Sequence, residues 1–339
     1  MTVKNAKTIY DALKGLGLTR AQVRKLLPDW WSPEIEKQPG GLAELCLLVS
    51  RRLNIELTAL MDGHILKSDA ALSIAYKHRA DATVESLQAS TCISTSLAKA
   101  VVAAMSKDYS ADHFSGAGIA ATARRIGSGT VSLTSLIDAS WAMGIPVIPV
   151  TNLPVGVRKM DGAVIKVDGR PVIIISKKKS SRAWLAFIVA HEIGHIASGH
   201  LEINDTIIDV SLQEQATYAV ESSRDMQERE ADSFALSLLG GDGVDREIST
   251  WPSWASPADL AVRARKSAAD LRAESGHIIL RYAFESKRWP DAMAALRFLS
   301  EDSDAETVVR GGLQRNLDFD LVAEDLRDLI CQVTGIQIP

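Results

Sequence analysis

Short amphipathic helices are predicted for the first 63 residues of the chain. Apolar residues recur there at helical spacing, and glycine and proline interrupt the pattern repeatedly, most clearly at Pro39-Gly40-Gly41. Thr19 suits the N-cap of a helix over 20–27, because its hydroxyl can accept a hydrogen bond from an unpaired amide of the first turn. Apolar residues between Leu42 and Leu53 keep the same spacing, which predicts another helix.

A second helical segment and a linker are predicted after the first 63 residues. Residues 69–107 carry apolar positions at helical spacing and are predicted to form a peripheral helical segment. Between 107 and 130 the chain is rich in serine, glycine and alanine, which indicates a linker that contains a short helix near 119–126. We therefore expect a domain boundary in this linker.

A β-hairpin is predicted in the middle of the chain. The apolar, β-branched runs 163–167 and 171–176 are separated by Asp168-Gly169, a pair typical of a tight hairpin turn. Helical patterns follow over 182–198 and 212–239, and after a glycine-rich break at 240–243 a helical tail runs to Ile330.

The patterns together predict an α+β fold that is predominantly helical. We expect helical units at 1–66 and 246–339, a helical segment and linker at 67–130, and a domain with a small sheet at 131–245.

Composition and charge narrow the classes of protein to consider. Of 339 residues, 46% are hydrophobic and 24% charged, which is typical of a folded globular chain. Lys plus Arg number 38 and Asp plus Glu 42, a net charge of −4, so any contact with nucleic acid must be local. The apolar runs are shorter than the roughly 18 residues of a membrane span, and no secretory signal pattern opens the sequence. We expect a cytoplasmic protein without membrane contact.

An HExxH motif carries the strongest chemical signal. His191 and His195 lie four residues apart in an apolar helical run, about 40° from each other around the helix, so both imidazoles can reach one Zn²⁺ ion. Glu192 is then positioned as a general base toward a water on the zinc. The alternative is that the two histidines are ordinary half-buried polar residues, which would be costly against so apolar a face.

A catalytic zinc needs a third protein ligand, and the segment 227–235 supplies candidates. Glu228 lies in line with Ala235 at a helical spacing of seven, so it should point inward, whereas Glu230 is about 200° away. We favour Glu228 over Glu230. Asp232 could accept the second ring N–H of a ligand histidine.

Two residues outside the motif have weaker claims on the site. Tyr218 could donate a hydrogen bond to an oxyanion, although a packed tyrosine is the simpler interpretation. His200 follows Gly199, a predicted helix end, and is interpreted as an exposed or capping histidine.

The strand 172–176 is either an edge strand on which an extended peptide could pair or an ordinary internal strand.

The region around the HExxH motif and Glu228 resembles the ImmA/IrrE metallopeptidases. The resemblance covers about 141–239, through Gly144-Ile145-Pro146-Val147, the strand 171–176, the motif His191 to His195, and Glu228 with Ala231, Asp232 and Ala235. It implies a zincin-like domain with two histidines and a downstream glutamate as zinc ligands and Glu192 as the general base. Family members often have asparagine at the position of Asp232. Such proteins typically cleave or inactivate a helix-turn-helix repressor in a stress, DNA-damage or mobile-element response.

The N-terminal segment is similar to a divergent phage-repressor-type helix-turn-helix. Its presumptive recognition segment, 30–36, carries two carboxylates and two tryptophans, and acidic side chains repel phosphate. The expected partner is a protein substrate; DNA contact through residues 18–60 and a homodimer are alternatives. We therefore predict a zinc endopeptidase. The competing functions are a DNA-binding regulator with structural zinc and little or no peptidase activity, and a toxin-antitoxin or phage-defence component.

Overall fold

The computed structural model describes residues 5–63, 74–76, 84–111, 114–201, 206–209, 223–252, 256–299 and 303–337. These residues form fifteen α-helices and five strands. The helices are α1 (Ala6–Lys14), α2 (Arg20–Leu26), α3 (Gly41–Leu53), α4 (Leu57–Asp62), α5 (Val84–Ala103), α6 (Gly116–Ile126), α7 (Leu133–Ala142), α8 (Arg182–Ala197), α9 (Ser223–Leu239), α10 (Gly241–Ser249), α11 (Pro257–Leu271), α12 (Ser275–Ser286), α13 (Trp289–Leu296), α14 (Ala305–Asn316) and α15 (Glu324–Thr334). The strands are β1 (Ile74–Tyr76), β2 (Val147–Pro149), β3 (Gly162–Val167), β4 (Arg170–Ile175) and β5 (Thr206–Asp209). The predominantly helical α+β class is confirmed.

The predicted hairpin is confirmed as the centre of the sheet. Antiparallel strands β3 and β4 are joined by Asp168-Gly169, and both turn residues have positive φ, as a tight hairpin requires. The strand order is β1-β5-β3-β4-β2, so β4 lies between β3 and β2. The interpretation of this strand as an edge that could pair with a peptide is therefore wrong.

Helix α8 is almost wholly buried, which explains its continuous apolar sequence. Ser181 caps it by accepting a hydrogen bond from the amide of Trp184, and every residue from Ala183 to His195 is buried. Sheet strands β3 and β4 and helices α7, α9 and α12 all pack against it. A helix covered on all sides needs apolar residues on all sides, so its few polar residues stand out.

Helices α8 and α9 approach each other unusually closely. A Cβ atom at Gly194 would lie 2.9 Å from the Cα and the carbonyl oxygen of Ala231, so only glycine fits there. Ala231 is itself fully buried. This contact sets the distance between the polar residues of the two helices.

The C-terminal helices support the first half of α8 through aromatic side chains. The ring of Phe187 lies 5.5 Å from that of Phe284, and Trp289 lies 5.0 Å from Phe284 and 6.0 Å from Trp184. Arg182 pairs with Asp304. The buried hydrophobic residues from Ile9 to Ile336 form one connected cluster.

Helix α3 of the N-terminal region packs on the C-terminal helix α15. Thr19 caps α2 as predicted, with its hydroxyl accepting from the amide of Gln22. Residues 30–36 do not form a recognition helix, because they lie between α2 and α3 and the helical turn that overlaps them is a 3₁₀ turn over Ile35–Lys37. Arg52 of α3 is fully buried; it donates hydrogen bonds to the carbonyl oxygen of Leu26 at 2.6 Å and to Asp328 of α15 at 2.9 Å.

Three other predicted elements have different limits. Strand β1 interrupts the predicted helical stretch 69–107, where α5 begins only at Val84. Of the predicted helix 212–239, residues 223–239 form α9, and 212–222 lie outside the described residues. Helix α10 begins at Gly241, so the predicted break is confined to Gly240. None of the described helices combines the length and apolarity needed to cross a membrane.

Candidate metal centre

The two histidines of the HExxH motif share one face of α8. Their Nε2 atoms lie 3.0 Å apart, and both side chains are at most 1% exposed. One helical turn separates the residues, so the backbone alone brings the rings together. The surrounding core fixes their orientation.

Glu228 of α9 completes the group. Its carboxylate oxygens lie 3.4 Å from His191 Nε2 and 3.5 Å from His195 Nε2, and its side chain is 15% exposed. Glu230, the alternative ligand in the sequence, is 53% exposed and pairs with His200 rather than with the two motif histidines. The close contact at Gly194 is what lets Glu228 reach across to α8.

The spacing of these three residues suits a divalent cation. Their ligand atoms all lie within 4.8 Å of one another. Zinc bound to imidazole and carboxylate at 2.0–2.2 Å with tetrahedral geometry places neighbouring ligand atoms about 3.3–3.5 Å apart, close to the distances in this group. His191, His195 and Glu228 could therefore hold a metal ion.

The charge of the site also favours a cation. His191 Nδ1 lies 2.8 Å from Asp232 Oδ1, so the carboxylate accepts the Nδ1 proton, and Nε2 is the nitrogen that faces Glu228. Burial disfavours a charged imidazole, but hydrogen bonds and attraction from Asp232 and Glu228 outweigh it and raise the pKa of His191 well above its ordinary value. A site that attracts a proton this strongly also attracts a metal ion.

Glu192 is fully buried next to the ligand pair and touches the first residue of β3. A Cβ atom at Gly162 would lie 2.1 Å from Glu192 Oε1, so the carboxylate occupies the space that a side chain on β3 would take. The strand therefore holds the carboxylate in place beside His191.

His200 and Glu230 belong to the surroundings of the site, which the sequence reasoning missed. His195 Nδ1 lies 2.9 Å from His200 Nδ1, and His200 Nε2 lies 2.8 Å from Glu230 Oε2. The His200 side chain is only 5% exposed, so its interpretation as an exposed histidine is wrong, whereas its backbone amide does cap the end of α8.

The end of α8 explains how His200 reaches His195. Gly199 has φ 70°, its amide donates to the carbonyl of Ile196, and the amide of His200 donates to the carbonyl of His195. This is a Schellman motif, in which the residue after the glycine folds back over the last turn. Gly199 was the signal in the sequence that could have placed His200 beside His195.

Tyr218, the candidate for an oxyanion donor, lies outside the described residues. No protein-family model matches the chain, and no curated protein matches it.

Proposed function

We propose that this protein is a zinc-dependent endopeptidase. The observation that carries the proposal is the meeting of His191, His195 and Glu228 around one point, with the buried carboxylate of Glu192 beside them. Three protein ligands leave a coordination position open for water and substrate, as in catalytic zinc sites, whereas structural sites use four. Within the described residues this group contains three candidate ligands.

Each residue has a distinct task in the proposed reaction. Zinc bound by such a set lowers the pKa of a coordinated water and polarises a carbonyl group. Glu192 accepts a proton from the attacking water and passes it to the leaving amine nitrogen. Asp232 holds His191 with its Nε2 lone pair toward the metal.

The resemblance to the ImmA/IrrE metallopeptidases suggests the zincin-like fold and the class of substrate. We propose that the enzyme acts in the cytoplasm on a regulatory protein, a helix-turn-helix repressor, in a stress, DNA-damage or mobile-element response. The toxin-antitoxin and phage-defence alternatives use the same chemistry and differ in the partner. The fold of residues 30–36 does not favour the DNA-binding alternative, because no α-helix is present there to enter a groove.

The test compares wild type with Glu192→Gln in the native host. Newly formed protein N-termini are measured by mass spectrometry with and without DNA damage, and zinc content is measured on the purified proteins. We expect Glu192→Gln to keep its zinc and to lose cleavage, since the amide cannot act as a base.

A matched control is Glu285→Gln, which makes the same change at an exposed position of α12. It should leave cleavage intact. Identical termini in wild type and Glu192→Gln, with the variant still complementing a deletion, would favour the regulator with structural zinc instead.

A further inference from the structure

A chain of two hydrogen bonds connects the metal-binding His195 to the surface. His195 Nδ1 contacts His200 Nδ1 at 2.9 Å, and His200 Nε2 contacts Glu230 at 2.8 Å. The first contact is part-buried, and the second ends on a carboxylate that is half exposed. His191 differs, because Asp232 holds its ring directly.

With His200 taken as a neutral imidazole, the hydrogen-bonding capacity of the three groups assigns the positions of the protons. An ionised carboxylate only accepts hydrogen bonds, so His200 Nε2 carries the proton that Glu230 accepts. In a neutral imidazole the other nitrogen is then an acceptor, which means that His195 Nδ1 must donate to His200 Nδ1. His195 Nε2 is left with a lone pair directed toward His191 and Glu228.

We propose that His200 and Glu230 are positioning residues, which fix the tautomer and ring orientation of His195 so that its Nε2 can bind the metal. This inference rests on the proposed metal centre. If His200 is replaced by a residue that cannot accept a hydrogen bond, nothing holds the proton of His195 on Nδ1. Without an acceptor at position 230, His200 can turn its proton toward His195 and force the proton of His195 onto Nε2, where it blocks the metal.

Two substitutions at Glu230 separate this role from charge and bulk. Glu230→Gln and Glu230→Met remove the same charge and have similar size, but only glutamine offers an oxygen that can accept from His200. We expect Glu230→Gln to bind zinc nearly as wild type does and Glu230→Met to bind it more weakly. His200→Phe, which removes the buried link, should lower zinc affinity the most, by about 10- to 100-fold.

The measurement is zinc affinity of the full chain by competition with a chromophoric chelator, with circular dichroism as a check of folding. Cobalt(II) substitution gives a second readout, because a displaced His195 changes the visible absorption of the bound ion. The Glu230 side chain is half exposed, so Glu230→Gln and Glu230→Met should fold even if His200→Phe does not. The comparison of these two variants then decides the test.

The outcomes distinguish the inference from the proposed function. Equal zinc affinities and cobalt spectra for Glu230→Gln and Glu230→Met would overturn the inference while leaving the peptidase proposal intact. Weaker binding by Glu230→Met in a protein that cleaves nothing would support the inference and reject the peptidase. A wild type that binds no zinc would overturn both.

Discussion

The contact between β3 and Glu192 makes Gly162→Ala a sensitive test of how the proposed general base is held. The new Cβ atom would lie 2.1 Å from Glu192 Oε1 and 3.0 Å from Ile188 Cγ2. Contacts shorter than 3.0 Å essentially never occur for real Cβ atoms, so the carboxylate has to move. The displacement is on the order of 1 Å, and a misplacement of that size can reduce the rate about 10²-fold.

Gly162→Ala should lower the rate of cleavage without lowering the zinc content of the protein. Gly162 contacts Glu192 and Ile188 but none of the three ligand side chains among its nearest neighbours, so zinc content should stay at the wild-type level. The assay is cleavage of the substrate identified by the comparison of N-termini, with zinc measured on the same preparations.

Gly243→Ala provides the control, because its Cβ would meet nothing closer than Leu271 Cδ2 at 3.6 Å. It should cleave at the wild-type rate. A folded Gly162→Ala variant that also cleaves at that rate would refute the idea that β3 holds a catalytic carboxylate.

Two further predictions concern stability. Burial, reinforced by the nearby Arg281, lowers the pKa of His277 to about 3 from an ordinary value of 6.5, so the unfolded chain binds the proton more readily than the folded one. The contribution of His277 to the free energy of unfolding is therefore largest above about pH 6.5 and falls with decreasing pH; between about pH 7.5 and 5, wild type should lose about 2 kcal/mol more than His277→Leu in denaturant titrations. Equal losses would contradict a buried neutral His277. Zinc at about one hundred times its Kd should stabilise the fold by about 3 kcal/mol, so a chelator should lower the Tm of wild type and of Glu192→Gln. His191→Ala should show no comparable shift with zinc; a shift equal to that of wild type would place the bound zinc elsewhere.

Local signals in the sequence determined several features correctly. The Asp168-Gly169 pair predicted the hairpin, because only residues that tolerate positive φ suit such a turn. Helical periodicity placed the two motif histidines on one face of α8 and turned Glu228 inward on α9. Each of these depends on residues within about two helical turns of one another.

Contacts between distant residues required the tertiary structure. The segments 74–76 and 206–209 were not predicted as strands of the sheet, because such short segments gain their hydrogen bonds only from partners far along the chain. The buried Arg52 likewise depends on α15, some 270 residues later. The placement of a recognition segment at 30–36 was wrong, because it rested on the order of helical patterns along the chain and the backbone forms no α-helix there.

In the candidate site, too, some features depend on local sequence and others on contacts between distant residues. The sequence by itself determined the types of the candidate ligands and their helical spacing, because backbone geometry within one helix is nearly fixed. Only the tertiary structure decided how closely α8 and α9 approach at Gly194, that β3 holds Glu192 through Gly162, and that Glu230 reaches His200. These distances depend on how separate elements pack, and the packing is set by the whole core rather than by any local stretch of chain.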